Sequence, residues 1–237
     1  MTDPTPQGVL ALGDSITNGG GELQWGVALQ SWAQWLARGL GLPFTSHAID
    51  GATVADVLAR QIPRHELHSA RPDASFDVGC LYVGVNDVRG SGWDPAAYAA
   101  GYERALGWLG ERCERRLICT VPLDLGRPRA AGVPEANAIV RAAAARHGAL
   151  VVDLDDFGAR NRVMVDHVHP TAFGQIAIAE RALRVLAADG LATRVMPSTL
   201  IAYETTRWGR LRGDWTYAYR HAKVSATARW KQLRTGR

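Results

Sequence analysis

Ser15, Asp166 and His169 are side chains whose types and spacing suit nucleophilic chemistry on a carbonyl. A serine hydroxyl attacks well only when a base takes its proton, and histidine serves best when a carboxylate fixes its tautomer. Ser15 stands in Gly13-Asp14-Ser15-Ile16-Thr17, directly after the apolar run Val9-Leu10-Ala11-Leu12. A serine in such a strand-to-helix turn is exposed above a sheet, with its own N–H near a helix N-terminus and able to meet an oxyanion. A plain turn or N-cap serine fits the same residues. Asp166 precedes His169 by three residues in Asp166-His167-Val168-His169-Pro170. That spacing lets the carboxylate take one imidazole nitrogen while the other faces a cleft. The alternatives are a structural histidine, or half of a metal site built from His167 and His169. No second cluster with ligand spacing accompanies them, since His65 and His68 carry no carboxylate pattern.

Two further positions can supply hydrogen-bond donors. Gly51, in Asp50-Gly51-Ala52-Thr53, offers an unobstructed N–H after a strand, or is simply a turn residue. Asn86, in Gly84-Val85-Asn86-Asp87, can aim its amide into the same cleft or form an Asx-turn. Asp14 and Asp87 are expected to brace turns. Asp153, Asp155 and Asp156 are rival acids, placed farther from His169 along the chain.

The elements that must position these residues alternate. Short apolar runs at 9–12, 44–49, 77–85, 117–121 and 150–154 read as strands. Helical periodicity fills 31–40, a stretch from Thr53 expected to stop at Pro63, one opening at Pro95, and then 134–147 and 170–188. The near-continuous apolar character of 77–85 suits a strand covered on both faces. A β-α-β-α order with short connections predicts a five-stranded parallel sheet between helical layers, wound right-handedly. The four candidate motifs then follow four different strands, at the sheet edge where α/β proteins place function. Individually weak, the signals converge.

Gly13-Asp14-Ser15, Gly51, Gly84-Val85-Asn86-Asp87 and Asp166-His167-Val168-His169-Pro170 resemble, in order, the four blocks of the SGNH (GDSL) hydrolase superfamily. The resemblance covers about residues 8–190. It implies a flavodoxin-like α/β/α sandwich and an esterase or lipase-like activity needing no cofactor or metal. Its nucleophile falls on Ser15, its acid and base on Asp166 and His169, and its oxyanion donors on Ser15, Gly51 and Asn86. Asp50 directly before Gly51 departs from the pattern, which often carries an asparagine upstream. Hydrolysis of a carboxylic ester or thioester is the expected activity. An O-acyltransferase using the same site, or a non-catalytic lipid- or glycan-binding module on an inherited cleft, are the alternatives.

Composition agrees with a globular enzyme. Of the 237 residues 47% are hydrophobic and 21% charged, which excludes wholesale disorder. Three cysteines without a CxxC, and an opening segment without a basic-then-apolar leader, predict a cytoplasmic protein. The net charge of +4 is uneven: residues 195–237 hold nine Lys+Arg against two acids, while residues 1–194 hold eighteen arginines against twenty-one acids. A hydrolase domain over 1–194 and a basic, aromatic extension over 195–237 are expected. Trp208, Leu211, Trp215, Tyr219, Ala222, Ala226, Trp230 and Leu233 recur at helical spacing between arginines and lysines, with Asp214 a candidate N-cap. Such a stripe either docks on the body or meets an anionic membrane surface through 207–234, peripheral to the inner membrane face. No motif points to nucleic acid. The partner is otherwise a small or lipid-like ester.

Overall fold

A computed structural model describes residues 8–68, 75–159, 161–203, 206–209, 211, 212, 215, 218, 219 and 222. Strands β1 (Val9–Gly13), β2 (Phe44–Ser46), β3 (Phe76–Tyr82), β4 (Cys113–Cys119) and β5 (Leu150–Val152) form one parallel sheet in the order β2-β1-β3-β4-β5. Helices α1 (Ser15–Asn18), α2 (Trp32–Leu40), α3 (Val54–Asp56), α4 (Ile62–His68), α5 (Val85–Arg89), α6 (Pro95–Gly110), α7 (Val133–His147) and α8 (Ala172–Ala188) connect and cover it. This is the expected flavodoxin-like α/β/α sandwich. Right-handed crossovers put α2 on one face and α3, α4, α6 and α7 on the other; α8 packs on α2, and α6 lies against both α3 and α7. The strand order reverses between β1 and β3, the switch point at which open α/β sheets place their ligands.

The core follows from the sequence pattern. Val9, Leu10, Ala11 and Leu12 are fully buried, as a central strand covered on both faces requires. Trp32, Trp35 and Leu36 of α2 and Ile176, Ala179, Leu183 and Leu186 of α8 bury the stripes that their spacing predicts. Ser31 caps α2 by accepting the Gln34 N–H, and Gly41 closes that helix in the left-handed region at φ 69°.

Several boundaries differ from expectation; β2 and β5 end at Ser46 and Val152, short of the expected 49 and 154. Pro63 does not stop its helix: a π-helical turn, Val57–Gln61, precedes it, and Pro63 becomes the second residue of α4, where a missing N–H is tolerated. β3 ends at Tyr82, so Asn86 sits in the first turn of α5 rather than in an extended strand end. β4 begins at Cys113, four residues before the apolar run, because Arg115 and Arg116 pair with Val78 and Gly79 in the ladder despite their charge.

The chain beyond α8 returns to the body. Arg194 and Val195 donate their N–H groups to the Gly39 carbonyl, and a 3-10 turn, Pro197–Leu200, receives Glu180 on its Ser198 N–H. Arg207–Gly209, Leu211, Arg212, Trp215, Ala218, Tyr219 and Ala222 have helical backbone. Asp214, Ala226, Trp230 and Leu233 lie outside the described residues.

Candidate active site

The nucleophile turn is built by exclusion of a side chain at Gly13. A Cβ there would collide with the Tyr82 carbonyl and lie 2.6 Å from the Thr17 hydroxyl, so only glycine lets β1 feed directly into α1 beside β3. Asp14, fully buried, caps α1 by accepting the Ile16 N–H at 2.9 Å. Burial pushes its pKa up to about 7. Ser15 is the first residue of α1, so its N–H has no intrahelical acceptor and points out at the helix N-terminus.

Ser15 Oγ lies 2.9 Å from His169 Nε2, and His169 Nδ1 lies 2.7 Å from Asp166 Oδ2. One file of hydrogen bonds therefore runs from hydroxyl to carboxylate. The second Asp166 oxygen accepts the N–H groups of Val168 and His169 at 2.9 and 3.0 Å, so this carboxylate shapes the turn that carries the imidazole. Burial opposes its ionisation, yet the His169 ring and those two amides hold it below the usual carboxylate range. The Asp166 hydrogen bond raises His169 above the ordinary histidine value, against burial that pulls it down. His167 turns elsewhere, its Nδ1 lying 3.1 Å from Asp124 Oδ2. Among the described residues no group of three or more His, Cys, Asp or Glu side chains is placed to hold a metal ion.

Gly51 and Asn86 follow β2 and β3, the two strands that flank β1. After β2 the Ile49 N–H continues the ladder to the Gly13 carbonyl, bringing the Asp50–Gly51 turn alongside the nucleophile turn. Asn18 of α1 donates to Asp50 Oδ1 at 2.8 Å, and Asn86 Nδ2 donates to the Ala52 carbonyl at 2.9 Å. The Gly51 turn is thus tied on one side to the Ser15 helix and on the other to Asn86. Asn86 spends one amide hydrogen on Ala52 and keeps the other. Asp87 Oδ1 accepts the Val54 N–H at 3.0 Å, bracing the start of α3 as anticipated. The rival acids are engaged elsewhere: Asp153 and Asp155 with Arg141, and Asp156 with Arg181.

Sequence reasoning missed the buried amides that hold these turns. Gln61, fully buried, accepts the Gly13 N–H at 2.9 Å and donates to the Gly13 carbonyl at 2.8 Å. Gln175 accepts the Trp32 N–H at 2.8 Å and donates to the carbonyls of Ile16 and Gly20, both at 3.0 Å. The available signal was a polar amide at a stripe position: Gln61 falls four residues after Val57, and Gln175 sits beside Ile176. The glycine-rich segment 19–26, after Ser15, is stitched to the segment that carries His169. Glu22 bridges to Thr171 and accepts the Ala172 N–H, and the Trp25 ring meets Phe173 edge-on at 5.3 Å. A cavity of about 330 Å³ opens beside Asn86, walled by Trp93, Val54, Ala55, Ala97, Thr53 and Asp94.

Fold and site define a serine hydrolase that acts on ester bonds. Residues 11–176 match the sequence model of the GDSL-like lipase/acylhydrolase family, and the chain belongs to that family. Among solved structures it is similar to Axe2, an acetylxylan esterase from Geobacillus stearothermophilus (21% identity over 78% of this chain and 96% of that one, TM-score 0.60). It is also similar to LAE5, an alpha/beta hydrolase enzyme from the metagenome of Lake Arreo, Spain (18% identity, 77% and 96%, TM-score 0.59). Comparison with curated proteins gives no match.

Proposed function

We propose that the protein hydrolyses a carboxylic ester or thioester through an acyl-enzyme on Ser15. The observation that carries this reading is the unbroken file Ser15 Oγ, His169 and Asp166, at 2.9 and 2.7 Å. Ser15 Oγ attacks the carbonyl carbon while His169 Nε2 takes its proton. Asp166 holds the proton on Nδ1 and stabilises the imidazolium. The tetrahedral oxyanion is met by the N–H groups of Ser15 and Gly51 and by the remaining amide hydrogen of Asn86; one such donor typically contributes about 3–4 kcal/mol. His169 returns the proton to the leaving alcohol or thiol. Water, deprotonated by the same imidazole, then releases the acid and restores Ser15.

The 330 Å³ cavity is lined by Asn86 and not by Ser15 or His169, and its volume, at the small end of ligand pockets, supports a short acyl group or one sugar-sized moiety reaching past Asn86. The acetylxylan substrate in the Axe2 name makes acetylated sugars the first class to try. Free, buried Cys80, Cys113 and Cys119 support action in a reducing, cytoplasmic compartment.

A p-nitrophenyl ester series from acetate to palmitate, beside acetylated xylo-oligosaccharides and an acyl-CoA, tests the reading. Turnover is expected to be highest for short acyl groups. An enzyme that turns over none of these is not the esterase proposed here. Added glycerol or sugar gives the O-acyltransferase its chance: transfer outpacing hydrolysis assigns the site to it.

A further inference from the structure

Nine large hydrophobic residues are exposed among the described residues, and six of them fall between positions 200 and 219: Leu200, Tyr203, Trp208, Leu211, Trp215 and Tyr219. Exposure is greatest at Trp208 (82%) and Trp215 (78%), the side chains with most to gain from burial. Trp208, Leu211, Trp215, Tyr219 and Ala222 have helical backbone at spacings of 3, 4, 4 and 3, which puts them on one side of a helix. The described side chains of this stripe are exposed rather than buried against the body. Arg207, Arg210, Arg212, Arg220 and Lys223 are interleaved with it in sequence, and from Thr205 to Lys223 the only acid is Asp214.

We propose that this C-terminal segment is a peripheral anchor for an anionic lipid bilayer. Tryptophan, tyrosine and leucine on one side and arginine and lysine beside them match an interface whose acyl boundary is apolar and whose headgroups are negative. Nucleic-acid phosphates would meet the cations but leave the tryptophans in water. A second copy would oppose the same cluster of positive charge to itself. No helix among the described residues is long and apolar enough to cross a membrane.

An aromatic ladder sets where the anchor leaves the body. Tyr203 meets Phe173 edge-on at 5.1 Å, and Phe173 meets Trp25 at 5.3 Å. Phe173 follows His169 by four residues, and Trp25 belongs to the segment after Ser15, which also carries Leu23 at 68% exposure. The anchor therefore starts beside both halves of the site and holds the cleft at the lipid surface.

Co-sedimentation of the full chain with phosphatidylcholine vesicles, with and without phosphatidylglycerol, tests the anchor without turnover. Full-length protein is expected to pellet with the anionic vesicles and to lose tenfold or more of that partitioning between about 50 and 500 mM NaCl. Trp208→Ser combined with Trp215→Ser, and separately Arg207→Glu combined with Lys223→Glu, should each reduce it about tenfold or more while p-nitrophenyl acetate turnover stays within about twofold. Equal pelleting of the full chain and both variants overturns the proposal. So does double-stranded DNA that strips the protein from vesicles, or a dimer by light scattering that the tryptophan pair dissolves without any vesicle binding. Lost p-nitrophenyl acetate turnover with intact pelleting would instead count against the esterase reading.

Discussion

The two sides of the cleft are built differently. Ser15, Gly51 and Asn86 stand on short turns directly beyond β1, β2 and β3, and the turn carrying Ser15 is locked from behind by buried groups: Asp14, Gln61 and Gln175. Asp166 and His169 stand on an irregular segment between β5 and α8, held by its own backbone. Met164 donates to the His169 carbonyl, Thr171 to the Arg162 carbonyl and Gly126 to the His167 carbonyl, while Asp166 gathers the Val168 and His169 amides. Side chains that pass through the core fix the nucleophile side. On the base side, one catalytic carboxylate is also the structural cap. The turn that carries Ser15 is therefore placed by the fold, and the His169 side by Asp166, the acid proposed above.

The largest effects are expected where the two sides meet. Ser15→Ala and His169→Ala should each lower kcat by about 10⁴-fold or more, and the double variant little further, because the pair acts as one unit. Steady-state kinetics on a p-nitrophenyl ester, with circular dichroism to show that the fold is kept, check this. Additive losses would mean that the two residues do not share a proton.

Asp166→Asn separates the two duties of the carboxylate. Its Oδ1 can still accept from Val168 and His169, so the turn should survive, but an amide facing His169 Nδ1 favours the wrong tautomer. Loss of about 10³–10⁴-fold in kcat with a melting temperature close to wild type is expected. If Asp156→Asn were crippled instead, the acid would be misassigned.

The pH profile reads the same contact more gently. Because the Asp166 hydrogen bond raises His169 above the ordinary value of about 6.5, kcat/KM should rise with pH through a single ionisation above that value. The sign follows from the base being active only when neutral: acid below the raised pKa protonates it and stops the reaction. The residual activity of Asp166→Asn should show the midpoint displaced downward. An unchanged midpoint would show that the contact at 2.7 Å does not govern the base.

The smallest effects are on stability, and they contrast the two supports. Gln175→Leu strands the buried Trp32 N–H and removes the donor to Ile16 and Gly20, costing about 1–3 kcal/mol and roughly 2–4 °C in Tm for each. Asp124→Ala on the base side removes part-exposed pairs with Arg127 and Arg129, and should cost less, about 1 kcal/mol or under. Thermal melts of both variants decide it. The reverse order would mean that the nucleophile side does not depend on its buried amide.

This contrast also explains what could be read from the sequence. Ser15, Gly51 and Asn86 were legible because each follows an apolar run that reads as a strand, and Asp166 with His169 because three residues separate them. Gln61 and Gln175 were not, since their partners are 48 and 143–159 positions away and an amide on an apolar stripe does not say which turn it holds. Helix continuity through Pro63 was hidden because a π turn leaves no composition signature. The Tyr203–Phe173–Trp25 ladder was hidden for the same reason as the amides: it joins three separate segments that only the folded chain brings together.

The central claim is that the Ser15 hydroxyl, activated across the cleft by His169, is the attacking group. Incubation with a fluorophosphonate probe, followed by peptide mass spectrometry, tests it most directly. Covalent probe on the peptide containing Ser15, abolished in Ser15→Ala and strongly slowed in His169→Ala, is the predicted result. Labelling at another serine, or none while ester turnover persists, would contradict it.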